Sequence, residues 1–243
     1  MKSSGAVDLS GYVKALPLLL RNPQIALAPL LAAVANVLLL KVVPEDGGFI
    51  GFANASIVSL IAFVITSAGL AVAIAGADSA WRYGRAPFDD AVSETRRRAG
   101  DVLIAAIGFS FLVSIAGYIG TFLGGPGALV LTAVAFVLCI YMLPAAVIGG
   151  IPGGASLNVS VERVRGGPVA AILIAIVYFV GTTLGPPLVI AELEPLLLNS
   201  SIVESGVIAS LIVALVRAVF TAYVALVLAK AYADASYGRF RRY

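Results

Sequence analysis

Arg217 makes the sharpest chemical demand in this 243-residue chain. It is the only charge inside any of six long apolar stretches, at the eleventh position of the run 207–229. Helical rise of 1.5 Å per residue puts it roughly 15 Å from either end of that run. An arginine facing lipid at such depth costs about 2.5–3.5 kcal/mol, so it must turn into the bundle and find acceptors. None of the six stretches carries a carboxylate. The available partners are carbonyls freed near Pro144 or Gly181, the hydroxyls of Tyr118 or Thr182, Glu192 or Glu194 on a dipping loop, or an anionic ligand. The candidate ligand-binding residues are therefore Arg217, Tyr118, Thr182, Glu192 and Glu194. Two readings stand side by side: a buried structural arginine satisfied by carbonyls and hydroxyls, or an anion site. The forked guanidinium suits a lipid headgroup or a carboxylate or phosphate substrate.

Other chemistry is sparse. Histidine is absent, which removes the commonest metal ligand and general base. The chain shows no nucleophile elbow and no phosphate-binding P-loop. Asp89 and Asp90 are adjacent carboxylates, but they suit the positive end of a helix that Pro87 could start. Asp78, close to Trp81, Arg82 and Arg85, could take a cation or a proton; an interfacial charge network accounts for it better. Cys139 is the lone cysteine. No enzyme activity, metal or cofactor is expected from these residues.

The elements that must hold Arg217 are apolar. Hydrophobic residues make up 60% of the chain and charged ones 12%, against roughly 25% charged in soluble domains. The stretches 24–40, 56–77, 102–124, 128–150, 169–185 and 207–229 are each long enough, or nearly so, to cross a hydrocarbon layer of about 30 Å. The expected fold is an all-α integral membrane bundle of six transmembrane helices in a single domain, 1–243. The net charge of +3 does not indicate nucleic acid, because the basic residues flank the spans. All of them except Lys41 and Arg217 fall on the N-terminus, the even-numbered loops and the tail, while Glu45, Asp46, Glu192, Glu194 and Glu204 fall on the odd loops. Lysine and arginine beside spans are retained inside, so the protein should be multi-pass in the cell membrane with both termini cytoplasmic.

Repetition supplies a second signal. Valine, serine, two arginines, glycine and valine recur in register between 91–102 and 158–169, and Gly120-Thr-Phe-Leu-Gly-Gly-Pro126 matches Gly181-Thr-Thr-Leu-Gly-Pro-Pro187. Repeats over 8–77, 88–150 and 155–230 would each be a cytoplasmic amphipathic helix followed by a transmembrane hairpin; similar chemistry at the point where the chain meets the membrane is the alternative. In the leads, Leu9, Tyr12, Val13, Leu16 and Leu20 share a face, as do Phe88, Ala91, Val92 and Thr95, and Leu157, Val161 and Val164. Such helices should lie among the headgroups, with Arg96, Arg97, Arg98, Arg163 and Arg165 toward the phosphates of anionic lipids. Simple anchoring of the hairpins is favoured over specific lipid or partner recognition. Gly120/Gly124 and Gly181/Gly185, with Gly69, Ala73 and Ala77, should mark close helix–helix contacts rather than a substrate path. The connection after Gly185-Pro186-Pro187, through Glu192 and Glu194 to Asn199, is apolar but too broken to span. A flat interfacial helix is preferred there to a re-entrant loop, whose free backbone groups would need protein cover.

Three short motifs carry a resemblance: Leu20-Arg21-Asn22-Pro23, Leu143-Pro144-Ala-Ala-Val147 with the amphipathic segment to Arg165, and Tyr232-Ala-Asp-Ala-Ser-Tyr237-Gly. In these the chain resembles a widespread, largely uncharacterised group of six-helix prokaryotic membrane proteins. That group includes the membrane domain fused to some glycerophosphoryl diester phosphodiesterases. The resemblance implies the fold; it carries no functional residues, and no phosphodiesterase activity is expected of these 243 residues.

Two function classes follow. One is a transport or lipid and membrane-homeostasis component with an anion or headgroup site near Arg217. Its mark would be polar residues facing a cavity, drawn from Asn36, Thr66, Ser67, Ser110, Ser114, Tyr118, Tyr178 and Arg217. The other is a non-catalytic scaffold or accessory subunit that recruits a protein partner through its cytoplasmic helices or forms a homo-oligomer; its mark would be a sealed bundle. The first is preferred. Topology is directly testable. In a Cys139→Ser background, cysteines at Glu45, Gly127 and Glu204 should react with an impermeant reagent added outside, and cysteines at Ser93 and Ser160 should not; labelling at Ser93 would reverse the orientation.

Overall fold

The computed structural model describes residues 10–41, 49–181, 187–188 and 206–240, and its elements are all helical. Helix α1 (Ser10–Arg21) leads through a 3-10 turn, Pro23–Ala26, into α2 (Leu27–Lys41). Asn22 precedes proline and is driven out of the helical region, to φ −131° and ψ 60°. The chain therefore bends by 95° between Ser10–Arg21 and Pro23–Leu39. The long α3 (Phe49–Tyr83) turns at Gly84 into the short α4 (Phe88–Arg97), followed by α5 (Ala99–Thr121), α6 (Gly125–Cys139) and α7 (Met142–Val147). Then come α8 (Ser156–Gly166), α9 (Pro168–Phe179) and α10 (Gly206–Phe240).

Four helices are long and apolar enough to cross a membrane: Val58–Tyr83, Ala99–Thr121, Gly125–Val147 and Ser210–Ala235. The bent pair makes a fifth if it counts as one span, and Pro168–Phe179 is apolar but shorter. The expectation of six spans is thus met by four or five helices among the described residues. Of the stretch 169–185, residues 182–185, including Thr182, lie outside them, as do Glu192, Glu194 and the whole of 189–205.

Close packing runs on small residues. Ala71, Ala73, Ala75, Ala77 and Ala80 of α3 and Ala214, Ala218, Ala222, Ala225 and Ala229 of α10 are all buried. A side chain at Gly69 would sit 2.8 Å from Ala32 Cβ, so α2 meets α3 there. One at Gly120 would sit 2.5 Å from Ala128 Cα, so α5 meets α6 there. Gly181 lies against the Phe220 ring of α10. Gly124 corrects the expectation: α5 ends at Thr121, and Gly124 takes φ +84°, so it serves a turn and not a helix face. Gly185 lies outside the described residues.

The fourth apolar stretch is broken in two. Pro144 has no N–H to continue the ladder, and α6 stops at Cys139 before α7 begins at Met142. The fully buried Ser160 of α8 bridges the gap. Its hydroxyl donates to Leu138 C=O at 2.6 Å and accepts from Tyr141 N–H at 3.0 Å.

The lead helices divide by what they show the surroundings. On α1 the small positions Gly11 and Ala15, with Leu19, are buried, whereas Val13, Leu16 and Leu20 of the expected apolar face point outward. That face turns away from the bundle. Arg98 and Arg163 have partners within the protein. Arg98 pairs with Glu94 at 2.9 Å and donates to Val147 C=O at 2.8 Å. Arg163 donates to Tyr232 C=O and lies 3.5 Å above the Tyr232 ring. Arg98 meets a carbonyl left open at the end of α7, and Arg163 meets a carbonyl on the flank of α10. Arg96, Arg97 and Arg165 are exposed, with Arg97 paired to Glu94. Burial also disqualifies Ser160 as a topology reporter; Ser93 is exposed and retains that use.

Ser160→Ala should leave Leu138 C=O and Tyr141 N–H without their partner, at a cost of about 1–3 kcal/mol for each buried group. Scanning fluorimetry in detergent should show a clearly lowered unfolding midpoint. Ser93→Ala, which removes only an exposed bond to Asp90 C=O, should leave it unchanged.

Candidate functional site

On α10 the positions Ser210, Ala214, Arg217, Ala218 and Thr221 fall on one side, at the three- and four-residue spacing that makes helical neighbours. Together with Pro29, Ala32, Ala33, Asn36 and Val37 of α2, Thr66 of α3 and Tyr178 of α9, they enclose a groove of about 340 Å³. Arg217 is exposed within it. Among the described residues no carboxylate pairs with Arg217, whereas Asp78 pairs with Arg82, Glu94 with Arg97 and Arg98, and Lys230 with Asp234.

The polar wall has a defined hydrogen-bond order. Thr66 Oγ1 donates its proton to Ala62 C=O at 2.8 Å, in the usual back-bond of a helical threonine. Its lone pair therefore receives Asn36 Nδ2, also at 2.8 Å. That fixes the amide's orientation and leaves Asn36 Oδ1 buried without a partner among the described residues. Tyr178 stacks on Phe136 with centroids 5.5 Å apart and stands near enough to Arg217 to feel its charge.

Of the residues expected around Arg217, Tyr118 is elsewhere. It is 69% exposed on α5, edge-on to Phe122 at 5.6 Å, and does not line the groove. The reason is neighbourhood: α5 packs against α6 and α7, whereas α2, α3 and α9 pack against α10. Tyr178 supplies the aromatic hydroxyl at the site instead. Thr182, Glu192 and Glu194 lie outside the described residues. Pro144 lines a separate interior cavity rather than the groove. Of the wider polar set, Asn36, Thr66, Tyr178 and Arg217 do converge on one groove, while Ser67 faces the interior cavity and Ser110 and Ser114 face neither. Ser210 and Thr221 were not among the expected residues, although their helical spacing from Arg217 is legible in the chain.

The interior cavity, about 70 Å³, is lined by Ser67, Cys139, Ile140 and Pro144 among others, beside the break in α6–α7. Thr66 and Tyr178 belong to both spaces and form the wall between them. A third space, about 390 Å³, lies at the α3–α4 junction between Asp78, Arg82, Asp90, Glu94 and Arg98. Its charges are largely paired: Asp78 holds Arg82 at 2.9 Å, so Asp78 does sit in a charge network. Among the described residues no group of three or more histidine, cysteine or carboxylate side chains is gathered as metal ligands.

The groove therefore brings the cationic side chain of Arg217 together with hydroxyls and an amide. Neither a paired nucleophile and base nor a metal cluster adjoins it among the described residues. No family model, curated protein or solved structure matches the chain.

Proposed function

We propose that this chain is a six-span membrane protein of the cell membrane, with both termini cytoplasmic, that binds an anion at Arg217 in a transport or membrane-homeostasis role. The observation that carries the reading is the groove itself: a guanidinium deep in an apolar helix, facing open space, with hydroxyls beside it and no carboxylate paired to it among the described residues. A scaffold would be better served by a sealed bundle with these groups paired helix to helix. The sixth span in this reading is the segment of 169–185 that begins with α9. Arg96, Arg97 and Arg165, which face outward, are left to meet anionic headgroups at the cytoplasmic surface.

The test is anion-dependent thermal stabilisation in neutral detergent, across inorganic phosphate, simple carboxylates and anionic lipid. The wild type should be stabilised by at least one of them. Arg217→Lys keeps the charge but loses the fork, and should bind about tenfold more weakly or worse, as expected when a charge-assisted bond of about 1.5–3 kcal/mol is lost. Its midpoint without ligand should match that of the wild type. An undiminished anion response in Arg217→Gln would remove the site.

A further inference from the structure

We infer that Tyr178 is a gate through which a small anion held at Arg217 enters the interior cavity at the break between α6 and α7. The inference rests on the reading of Arg217 as an anion site and adds where the anion goes.

The first support is the wall. Thr66 and Tyr178 line both the groove and the cavity. Thr66 is pinned from two sides, by Ala62 C=O and by Asn36 Nδ2. Tyr178 stacks on Phe136 at 5.5 Å, and Phe136 meets Phe109 edge-on at 5.4 Å. All three rings line the cavity. Of the two wall residues, Tyr178 has the ring large enough to cover an opening and a χ1 rotation that clears it.

The second support is the cavity. Residues of α3, α5, α6, α7, α9 and α10 all line it, so it lies in the middle of the bundle. An interrupted helix is the device with which many transporters build a site at this depth, and the α6–α7 break adjoins the cavity. Ser67, 6% exposed, lines the cavity and makes no hydrogen bond among the described residues. A hydroxyl buried without a partner is a standing cost, and an anion or its water in the cavity relieves it. The free space of about 70 Å³, against about 10–15 Å³ for one water, admits a small anion with little besides.

The third support is what lies beyond. Along α3 the cavity ends at Ile74, and the charged space at the α3–α4 junction begins at Ala75. Along α7 the cavity ends at Pro144, and that space takes up at Val147. Groove, cavity and charged space thus form a series, with Ile74 and Val147 buried at the second boundary. An apolar chamber shut by Tyr178 on one side and by these two on the other is closed to ions until it is wetted.

The reporter is native to the chain: Cys139 is buried and lines the cavity but not the groove. On the full chain in neutral detergent, mass spectrometry follows its labelling by anionic sulfonatoethyl methanethiosulfonate and by neutral methyl methanethiosulfonate, with Cys139→Ser as the blank. The wild type should react slowly with the anionic reagent. Tyr178→Ala should raise that rate about tenfold, and Arg217→Gln added to it should remove the gain without changing the neutral reagent's rate. Phe136→Leu removes the ring under Tyr178 and should also raise the anionic rate; it carries the test if Tyr178→Ala does not fold. Phe109→Ala widens the cavity at a residue that does not line the groove, and should leave the anionic rate unchanged. If neither Tyr178→Ala nor Phe136→Leu raises the anionic rate, if Phe109→Ala raises it as much, or if Arg217→Gln leaves the gain intact, Tyr178 is not the gate. The anion site then still stands wherever phosphate or a carboxylate stabilises the wild type and not Arg217→Gln. If Arg217→Gln also keeps the full anion stabilisation, both readings fall.

Discussion

A bilayer interior offers no water to a broken helix, so each interruption of the backbone must find its hydrogen bonds within the protein. This constraint organises the structure. At the elbow before α2, Asn22 is 2% exposed and its amide is used at both ends. Nδ2 donates to Leu18 C=O at 3.0 Å and to Gly84 C=O at 3.3 Å, and Oδ1 accepts from Ala86 N–H at 2.9 Å. One side chain thereby joins the first bend to the turn between α3 and α4. Trp81 Nε1 donates to Leu226 C=O, Arg98 to Val147 C=O, Ser160 to Leu138 C=O and Arg163 to Tyr232 C=O. Each ties one element to a backbone carbonyl of another. An Asn22→Leu change would strand several buried polar groups at once, the costliest kind of core defect.

These ties gather at one end of the bundle, and so does the dense core. The buried runs of α3 (Ala71 to Ala80), α7 (Met142 to Val147) and α10 (Ala222 to Ala229) lie on the elbow side. Small residues let backbones approach closely there. Farther along the same helices larger and polar groups intervene, and the spaces open: the interior cavity on one side of Thr66 and Tyr178, the groove on the other. A bundle fastened at one end and parted at the other holds Arg217 on rigid helices while leaving room in front of it.

What the chain discloses and what it withholds divide along physical lines. Apolar length is visible residue by residue, so most of the long helices are legible, as is the bend where Asn22 meets Pro23. Glycines at Gly69, Gly120 and Gly181 mark real close approaches because a missing side chain matters whatever the partner. Gly124 misleads because the same residue type also serves turns. Charge counting places Arg98 and Arg163 at helix ends but cannot show which way a long side chain turns, and that is decided by the carbonyls, the carboxylate and the ring that the fold brings beside them. The exchange of Tyr118 for Tyr178 has a different origin. Both are tyrosines in apolar helices, and only the packing of α9, not α5, beside α10 distinguishes them. The break at Ile140 had a signal in Pro144, four residues on, whose missing N–H cannot serve that turn.

The same chain shows how it satisfies a structural arginine. Arg98 has a carboxylate and two carbonyls, and Arg163 has a carbonyl and an aromatic face. Both are half-buried, and both close a gap between elements. Arg217 joins no two elements by such a bond among the described residues; it is exposed in a groove whose nearest polar neighbours are hydroxyls and an amide. An arginine kept for packing could be exchanged for leucine on this helix and relieve the burden of an ion in apolar surroundings. Exposed on the wall of the groove, Arg217 gains its full electrostatic return when something negative occupies that space.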